Sequence, residues 1–319
     1  MRLSSLCTGL IDLLFLSRPM LLAPVWGFAA LGYWRAQWYG GDFALDAAWE
    51  WSALAAFVWI AVFSFSVAAV YVMNQIADRE VDALNGGFAL MVHGRVRKEA
   101  AWAAAAGFAA LALVPSALWA PELLPYCIAS LALGIAYSFK PAFFSGRPGL
   151  DFLANAAGYG LIAFGAGWTL GGGQITIWFL RGAAPYFFLM CAGSISSTLP
   201  DRQGDLACGK HTTAVVCGER MAHLLAMLFL GLAAAAGYLG GDHCAVAAAA
   251  LTFPFYIAYA LLESRLWMEA TYKIGGGILM LIAALVFPAL IAPAALTVAA
   301  VRLYFRYRHN ARYPALVPQ

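Results

Sequence analysis

Four aspartates carry the first chemical signal. Asp78 and Asp82 lie in the run Asn74-Gln-Ile-Ala-Asp78-Arg79-Glu-Val-Asp82, and Asp201 and Asp205 bound Asp201-Arg202-Gln-Gly-Asp205. Acidic residues are scarce, sixteen Asp plus Glu in 319 residues, so two pairs at one spacing stand out. Residues four apart share a helix face, so each pair points two carboxylates at one spot. Carboxylates at the edge of an apolar region are costly unless paired or metal-bound. Two such clusters facing one cavity suit two Mg2+ ions, which prefer a few carboxylates completed by phosphate oxygens. Asn74 stands one turn before Asp78, where its amide oxygen could complete the first cluster. The expected ligands are therefore Asn74, Asp78, Asp82, Asp201 and Asp205, with the four aspartates as the catalytic set and a diphosphate as their guest. Solvated helix-end charges would explain any single Asp, but not two spaced pairs each followed by basic residues.

The elements that must position these residues are apolar. The chain is 63% hydrophobic and 11% charged, with mean hydropathy +0.77. That excludes an ordinary soluble protein. A spanning helix needs about 20 mostly apolar residues, and about nine stretches qualify. They are Pro19–Tyr39, Trp51–Met73, Ala100–Ala120, Leu123–Phe139, Phe152–Leu170, Gly182–Thr198, Met221–Leu239, Ala245–Leu262 and Gly276–Ala299. The expected fold is an all-α integral membrane protein, a nine-helix transmembrane bundle without a separate soluble domain. An interfacial segment (1–18) precedes the transmembrane domain (19–300), and a basic tail (301–319) follows it. Arg18 and Pro19 interrupt the first apolar run, and a stretch long enough to span follows, so the start does not read as a cleaved signal.

Charge orients the bundle. With the N-terminus in the cytoplasm, Arg2, Arg18, Arg79, Arg95, Arg97, Lys98, Lys140, Arg147, Arg202, Lys210, Arg220, Arg265 and Lys273 fall on the inner side, while the outer loops hold only Arg35 and Arg181. Both acidic motifs then close cytoplasmic helix ends, in matching places of a weak internal repeat. An odd helix count places the basic tail with Arg302, Arg306, Arg308 and Arg312 outside, against the bias, unless Pro288 and Pro293 break the last stretch. The net charge of +3 indicates no nucleic-acid surface. Six cysteines without a Cys-x-x-Cys read as small apolar packers.

At this point the sequence resembles the UbiA superfamily of intramembrane prenyltransferases. Asn74, Asp78 and Asp82 match its Asn-x-x-x-Asp-x-x-x-Asp motif, and Asp201 and Asp205 its Asp-x-x-x-Asp motif. Arg18-Pro19 is similar to the family's Arg-Pro at the start of the first helix. Tyr137-Ser138-Phe139-Lys140-Pro141 resembles its segment after the fourth helix, and Gly204-Asp205 through Gly209 and Thr212 resembles its Gly-Asp-x-x-x-Gly-x-x-Thr run. The likeness covers roughly positions 18 to 290. One departure stands out. Asn85-Gly-Gly-Phe-Ala-Leu-Met-Val-His93-Gly94-Arg95 lacks the Arg-Pro that often follows the first motif, and His93 is a candidate substitute for a basic contact.

The resemblance implies a Mg2+-dependent alkylation. Metal ions neutralise an allylic diphosphate, the carbon–oxygen bond ionises, and an electron-rich lipophilic acceptor attacks the cation. Arg79, Lys140, Arg202 and Lys210 are the implied diphosphate contacts. Tyr137 would orient a phosphate oxygen, and Arg18 would hold either phosphate or an anionic acceptor. The isoprenyl tail enters from the membrane lipid between helices. Aromatic residues, 14% of the chain, can stabilise a cation at about 0.5–2 kcal/mol each, although any one of them is more often packing. The Gly-x-x-Thr run leans towards a quinone-type aromatic acceptor. A prokaryotic plasma membrane is the expected location, and oligomeric state stays open.

Other residues have blander readings. Asp151 is expected to cap the fifth helix, Asn155 to face the cavity or pack, and His211 to be a solvated loop residue. Glu263, Arg265 and Glu269 are expected to form solvated pairs in a loop. Two other functions compete. A membrane terpene cyclase would keep the metal site and need no acceptor. A transporter would use paired intramembrane acids to carry ions, and would show vesicle uptake without diphosphate release.

Overall fold

The computed structural model describes residues 2–40, 51–85, 90–311 and 313, and all regular structure among them is helical. The helices are α1 (Arg2–Leu16), α2 (Pro19–Gly40), α3 (Trp51–Ala77), α4 (Arg79–Asn85), α5 (Lys98–Trp119) and α6 (Leu124–Ser138). Next come α7 (Leu150–Ala156) and α8 (Phe164–Leu170), joined by a π-helical stretch at Ala157–Ala163, then α9 (Ile177–Thr198), α10 (Arg202–Ala207) and α11 (Thr213–Cys217). The chain continues with α12 (Glu219–Gly240), α13 (His243–Leu262), α14 (Arg265–Val286) and α15 (Ile291–His309). Local chemistry sets several boundaries. Pro19 opens α2, where a missing N–H is harmless. Thr176 caps α9 by accepting from Trp178 N. Gly241 takes a left-handed turn at φ +65°, and Asp242 caps α13 by accepting from Ala245 N at 3.0 Å.

Eight rods form a closed ring in the order α2, α3, α6, α7–α8, α9, α12, α13 and α14, with α14 packing back on α2. Helix α5 lies outside α3, and α15 lies outside α2. Close backbone approach holds the ring where apolar burial counts for little in lipid. A Cβ on Gly167 would lie 1.7 Å from the Ala29 carbonyl oxygen, and one on Gly32 would lie 2.0 Å from that of Phe164. Glycine at these two positions lets α2 and α8 touch.

Among the described residues, six helices are long and apolar enough to cross a membrane, and the bent α1–α2 pair would make seven. The expected nine is not reached on that criterion. The last expected stretch, 276–299, proves to be parts of two rods. Helix α14 begins at Arg265, inside the expected loop, and stops at Val286. Pro288 cannot continue it, and after one 3-10 turn α15 runs across the 300/301 boundary to His309. Two rods in place of one reverse the parity. The end of α15 returns to α1, where Tyr304 and Arg308 bond Asp12. Arg302, Arg306 and Arg308 therefore lie towards the end that carries the acidic motifs, which removes the conflict with charge. Arg312 and residues 86–89 of the altered loop lie outside the described residues.

Arg35 is not a loop charge. It sits inside α2, 1% exposed, with Nε 3.5 Å from Asp242 Oδ2. It donates to Tyr39 Oη at 3.0 Å and to the Gly240 carbonyl. Seventeen residues of helix separate it from Arg18, about 26 Å, so this cluster fastens the far end of the bundle. Cys127 and Cys191 are buried packers as expected, whereas Cys217 is exposed.

Candidate functional site

The first acidic motif straddles the bend between α3 and α4. Asp78 N donates to Asn74 O at 2.8 Å and Asp82 N to Asp78 O at 2.8 Å, so the four-residue ladder carries on through the bend. Asn74, Asp78 and Asp82 consequently share a face. Asn74 Nδ2 donates to Asp78 Oδ2 at 2.8 Å. Each carboxylate also meets a cation: Lys210 Nζ donates to Asp78 Oδ1 at 2.7 Å, and Arg18 Nη2 lies 3.4 Å from Asp82 Oδ2. The Lys210 pair is largely buried and short, the stronger kind. The Arg18 pair is part-exposed and contributes less.

The second motif follows α9. Asp205 N donates to Asp201 O at 2.9 Å, which places both side chains on one face of α10. Helix α10 packs on α4, so the two motifs stand at the same end of the ring. Gly209, at φ +73°, turns the chain so that Lys210 N donates to Asp205 O and its side chain reaches across to Asp78. Asp151 anchors the next stretch: its carboxylate accepts from Thr213 N at 2.7 Å and Thr213 Oγ1 at 2.5 Å. Asp151 thus holds the loop after the second motif, and does not cap its own helix.

Asp201 and Asp205 form no ion pair among the described residues. Enclosure by protein, although Asp201 still opens to the cavity, together with the charges of Asp82 and Glu269, pushes the Asp201 carboxyl up to about 6. Burial likewise pushes Asp205 up to about 6, with Lys210 opposing and Asp201 and Asp78 assisting. Asp82 is raised by burial against the pull of Arg18. Among the described residues, no three His, Cys, Asp or Glu side chains are grouped to hold an ion by themselves. The donor set still fits a hard cation: it is all oxygen, in two pairs, and Mg2+ takes one or two carboxylates and completes its shell from phosphate and water.

Beside the motifs opens a cavity of about 500 Å³. Arg18, Asn74, Tyr137 and Asp201 line it, while Asp78 and Asp82 are bonded to Asn74 and Arg18 of that lining. Further in, Phe28, Tyr71, Tyr159, Tyr256, Leu279 and Met280 make the wall. Asn155 both faces the cavity and packs, donating to Tyr137 Oη at 3.2 Å and Ser194 Oγ at 2.9 Å. Four implied diphosphate contacts are not part of this lining: Lys210 reaches the site only through Asp78, and three others lie further off. Arg79 and Lys140 are exposed, and Arg202 turns towards Gly218 and Tyr259. His93 and His211 are exposed as well.

The UbiA prenyltransferase family matches this chain over residues 28–274. The chain belongs to that family. This UbiA member is therefore an enzyme of the prenyltransferase class. Its fold is similar to a UbiA homolog from Archaeoglobus fulgidus solved with GPP and Mg2+: TM-score 0.68, 21% identity, covering 89% of this chain and 99% of that one. It also resembles a UbiA homolog from Aeropyrum pernix K1 in its apo form, with TM-score 0.57, 18% identity and coverage of 85% and 97%. A digeranylgeranylglyceryl phosphate synthase structure matches at TM-score 0.57 and 18% identity, covering 90% and 98%. No curated protein matches by sequence.

Within this UbiA enzyme, Glu269 also departs from its sequence expectation. Glu269 is 1% exposed on α14, not in a solvated loop. It accepts from Tyr272 Oη at 2.9 Å and Arg265 Nε at 3.2 Å, and pairs with Lys273. Tyr272 lines the cavity, and the Glu269 charge is felt at Asp201. The i, i+4 spacing of Arg265, Glu269 and Lys273 was the available signal for a helix.

Proposed function

We propose that this enzyme moves an isoprenyl group from an allylic diphosphate to a lipophilic, aromatic acceptor of the quinone-precursor type, with Mg2+ as cofactor. The observation that carries this reading is the meeting of two paired-carboxylate motifs at one end of an otherwise apolar, ring-lined cavity. Mg2+ held by Asn74, Asp78, Asp82, Asp201 and Asp205 would neutralise the leaving diphosphate. Arg18 and Lys210 add positive charge at the same end. The carbon–oxygen bond breaks with its electron pair leaving on the diphosphate. The allylic cation then lies among Phe28, Tyr71, Tyr159 and Tyr256, whose faces can each contribute about 0.5–2 kcal/mol. A ring carbon of the acceptor attacks, and the ring loses a proton to restore aromaticity. Apolar walls keep water from the cation.

The reading includes nine spanning rods: α2, α3, α5, α6, α7–α8, α9, α12, α13 and α14, with α15 as an addition. The bias of Lys and Arg towards the motif end supports a cytoplasmic site, and the reading places the protein in a prokaryotic plasma membrane. Pyrophosphate release tests the function. Purified protein with Mg2+ would receive geranyl, farnesyl and geranylgeranyl diphosphates, with and without an aromatic acceptor mixture. Acceptor-dependent release is expected. Release without acceptor, giving a cyclic product, would replace transfer by cyclisation. Vesicle uptake with no release would make the protein a transporter.

The tail pocket has its own test. Gly193 and Gly276 line the cavity, and a Cβ on either meets nothing within 4 Å. Neither glycine is needed for helix contact, so what they supply is room. Gly193→Leu should shift preference towards shorter diphosphates while leaving the protein folded. An unchanged chain-length profile would place the tail elsewhere.

A further inference from the structure

Among the described residues, Arg18 is the one basic residue lining the cavity. It stands between α1 and α2 at φ +53°, a left-handed conformation that glycine adopts freely and arginine does not. Pro19 restricts it further. Such a residue persists only where its surroundings over-determine it, so the question is what holds α1.

Two attachments do. Gln75, the neighbour of Asn74, donates from Nε2 to the Leu16 carbonyl at the end of α1. One turn earlier, Asp12 is 2% exposed and accepts from Tyr304 Oη at 2.7 Å and from Arg308 Nη2 at 3.0 Å and Nε at 3.3 Å. Phe15 stacks on Tyr304 with centroids 3.7 Å apart and planes within 2°. His309 Nε2 bonds Tyr304 Oη at 3.0 Å. Both α1 and α15 lie outside the 28–274 family match, and neither motif uses these groups.

We infer that Asp12 is a positioning residue: clamped by Tyr304 and Arg308 of α15, it fixes α1 so that Arg18 is presented at the cavity mouth beside Asp82. This rests on the reading of Arg18 as a diphosphate contact. With the clamp open, the turn at Arg18 relaxes out of its left-handed conformation. The guanidinium then leaves the mouth, and diphosphate affinity falls without loss of the metal ligands.

The test is a double-mutant cycle on the full chain in detergent, reading calorimetric binding of a non-ionisable allylic diphosphate analogue with Mg2+, then KM and kcat. Arg18→Gln should weaken analogue binding. Asp12→Asn should weaken it about tenfold and raise KM, with kcat within about twofold. In the Arg18→Gln background, Asp12→Asn should add nothing, and Asp12→Glu should restore most of the loss. Where Asp12→Asn fails to fold, Tyr304→Phe, which keeps the stack and loses the hydroxyl's bonds to Asp12 and His309, takes its place. Additive losses, or a kcat loss with unchanged binding, would overturn the clamp while leaving Arg18 as a contact. An Arg18→Gln protein that binds as well as wild type would remove the reading on which the clamp rests, and the clamp with it.

Discussion

The two acidic motifs share a spacing and differ in their neighbours. Asp78 faces Lys210 and Asp82 faces Arg18. Asp201 and Asp205 have no such pair among the described residues, and both carboxyls are raised to about 6. The first motif is thus largely neutralised by the protein's own cations. The second has no direct ion pair among the described residues, only the weaker pull of Arg18, Arg265 and Lys210, and a divalent ion gains most where the field is least cancelled. The comparison teaches that equal motifs need not be equal ligands. The second is poised for metal, while the first is tied to the loop that follows the second.

The largest effects should come from the second motif and from Asp78, the residue that the loop after it holds. Asp201→Asn, or Asp205→Asn, should lower the rate of diphosphate release by about 10³-fold or more, equivalent to about 4 kcal/mol of transition-state stabilisation. Asp82→Asn should cost about tenfold less than that, because Arg18 would then be free to face the diphosphate. Asp78→Asn should be as severe as Asp201→Asn, since it also strands Lys210. Rates for the four variants, each shown folded by size-exclusion and melting, decide the matter. Equal losses at Asp82 and Asp201 would erase the asymmetry.

A smaller effect concerns the bridge. Lys210 is 6% exposed and ties Asp78 to the loop after Asp205. Lys210→Met leaves Asp78 as a poorly solvated charge, at a cost of about 3 kcal/mol without metal. Added Mg2+ should then restore much of the lost melting temperature, more than it adds to wild type. If Mg2+ stabilises both proteins equally, Lys210 and the metal do not share Asp78.

Much of this was legible in the chain because the governing physics is local. The i, i+4 spacing sufficed to put Asn74, Asp78 and Asp82 on one face, and Asp201 and Asp205 on another. Apolar length located most rods. The failures came where a long-range contact or a break decided. Pro288 ends α14 where apolar composition runs on, so one stretch became two helices and the tail returned to α1. Arg35 looked like an outer-loop charge until Asp242, over two hundred residues away, proved to hold it inside α2. Arg202 sits within the second motif yet turns to Gly218 and Tyr259 on other helices. No pattern along the sequence encodes that direction. Tyr272 and Glu269 approach Asp201 only because α14 closes the ring.

The smallest effect is on pH, and it separates the motifs by sign. Without metal, burial and the neighbouring carboxylates push Asp201 and Asp205 up to about 6, against an ordinary 3.8. Between those values the folded chain keeps protons that the unfolded chain has released. Stability therefore falls as pH rises through that window, and stays lower above about 6. Mg2+ binds the ionised pair and offsets the repulsion, so it should stabilise more at about pH 7.5 than at about pH 5. Melting temperatures measured across that range should slope downwards without Mg2+ and flatten with it. The double variant with Asp201→Asn and Asp205→Asn should lose most of the slope, whereas Asp78→Asn should keep it. A wild type already flat without metal, or a double variant with the slope intact, would mean that the second motif carries no uncompensated charge and that the two motifs are alike.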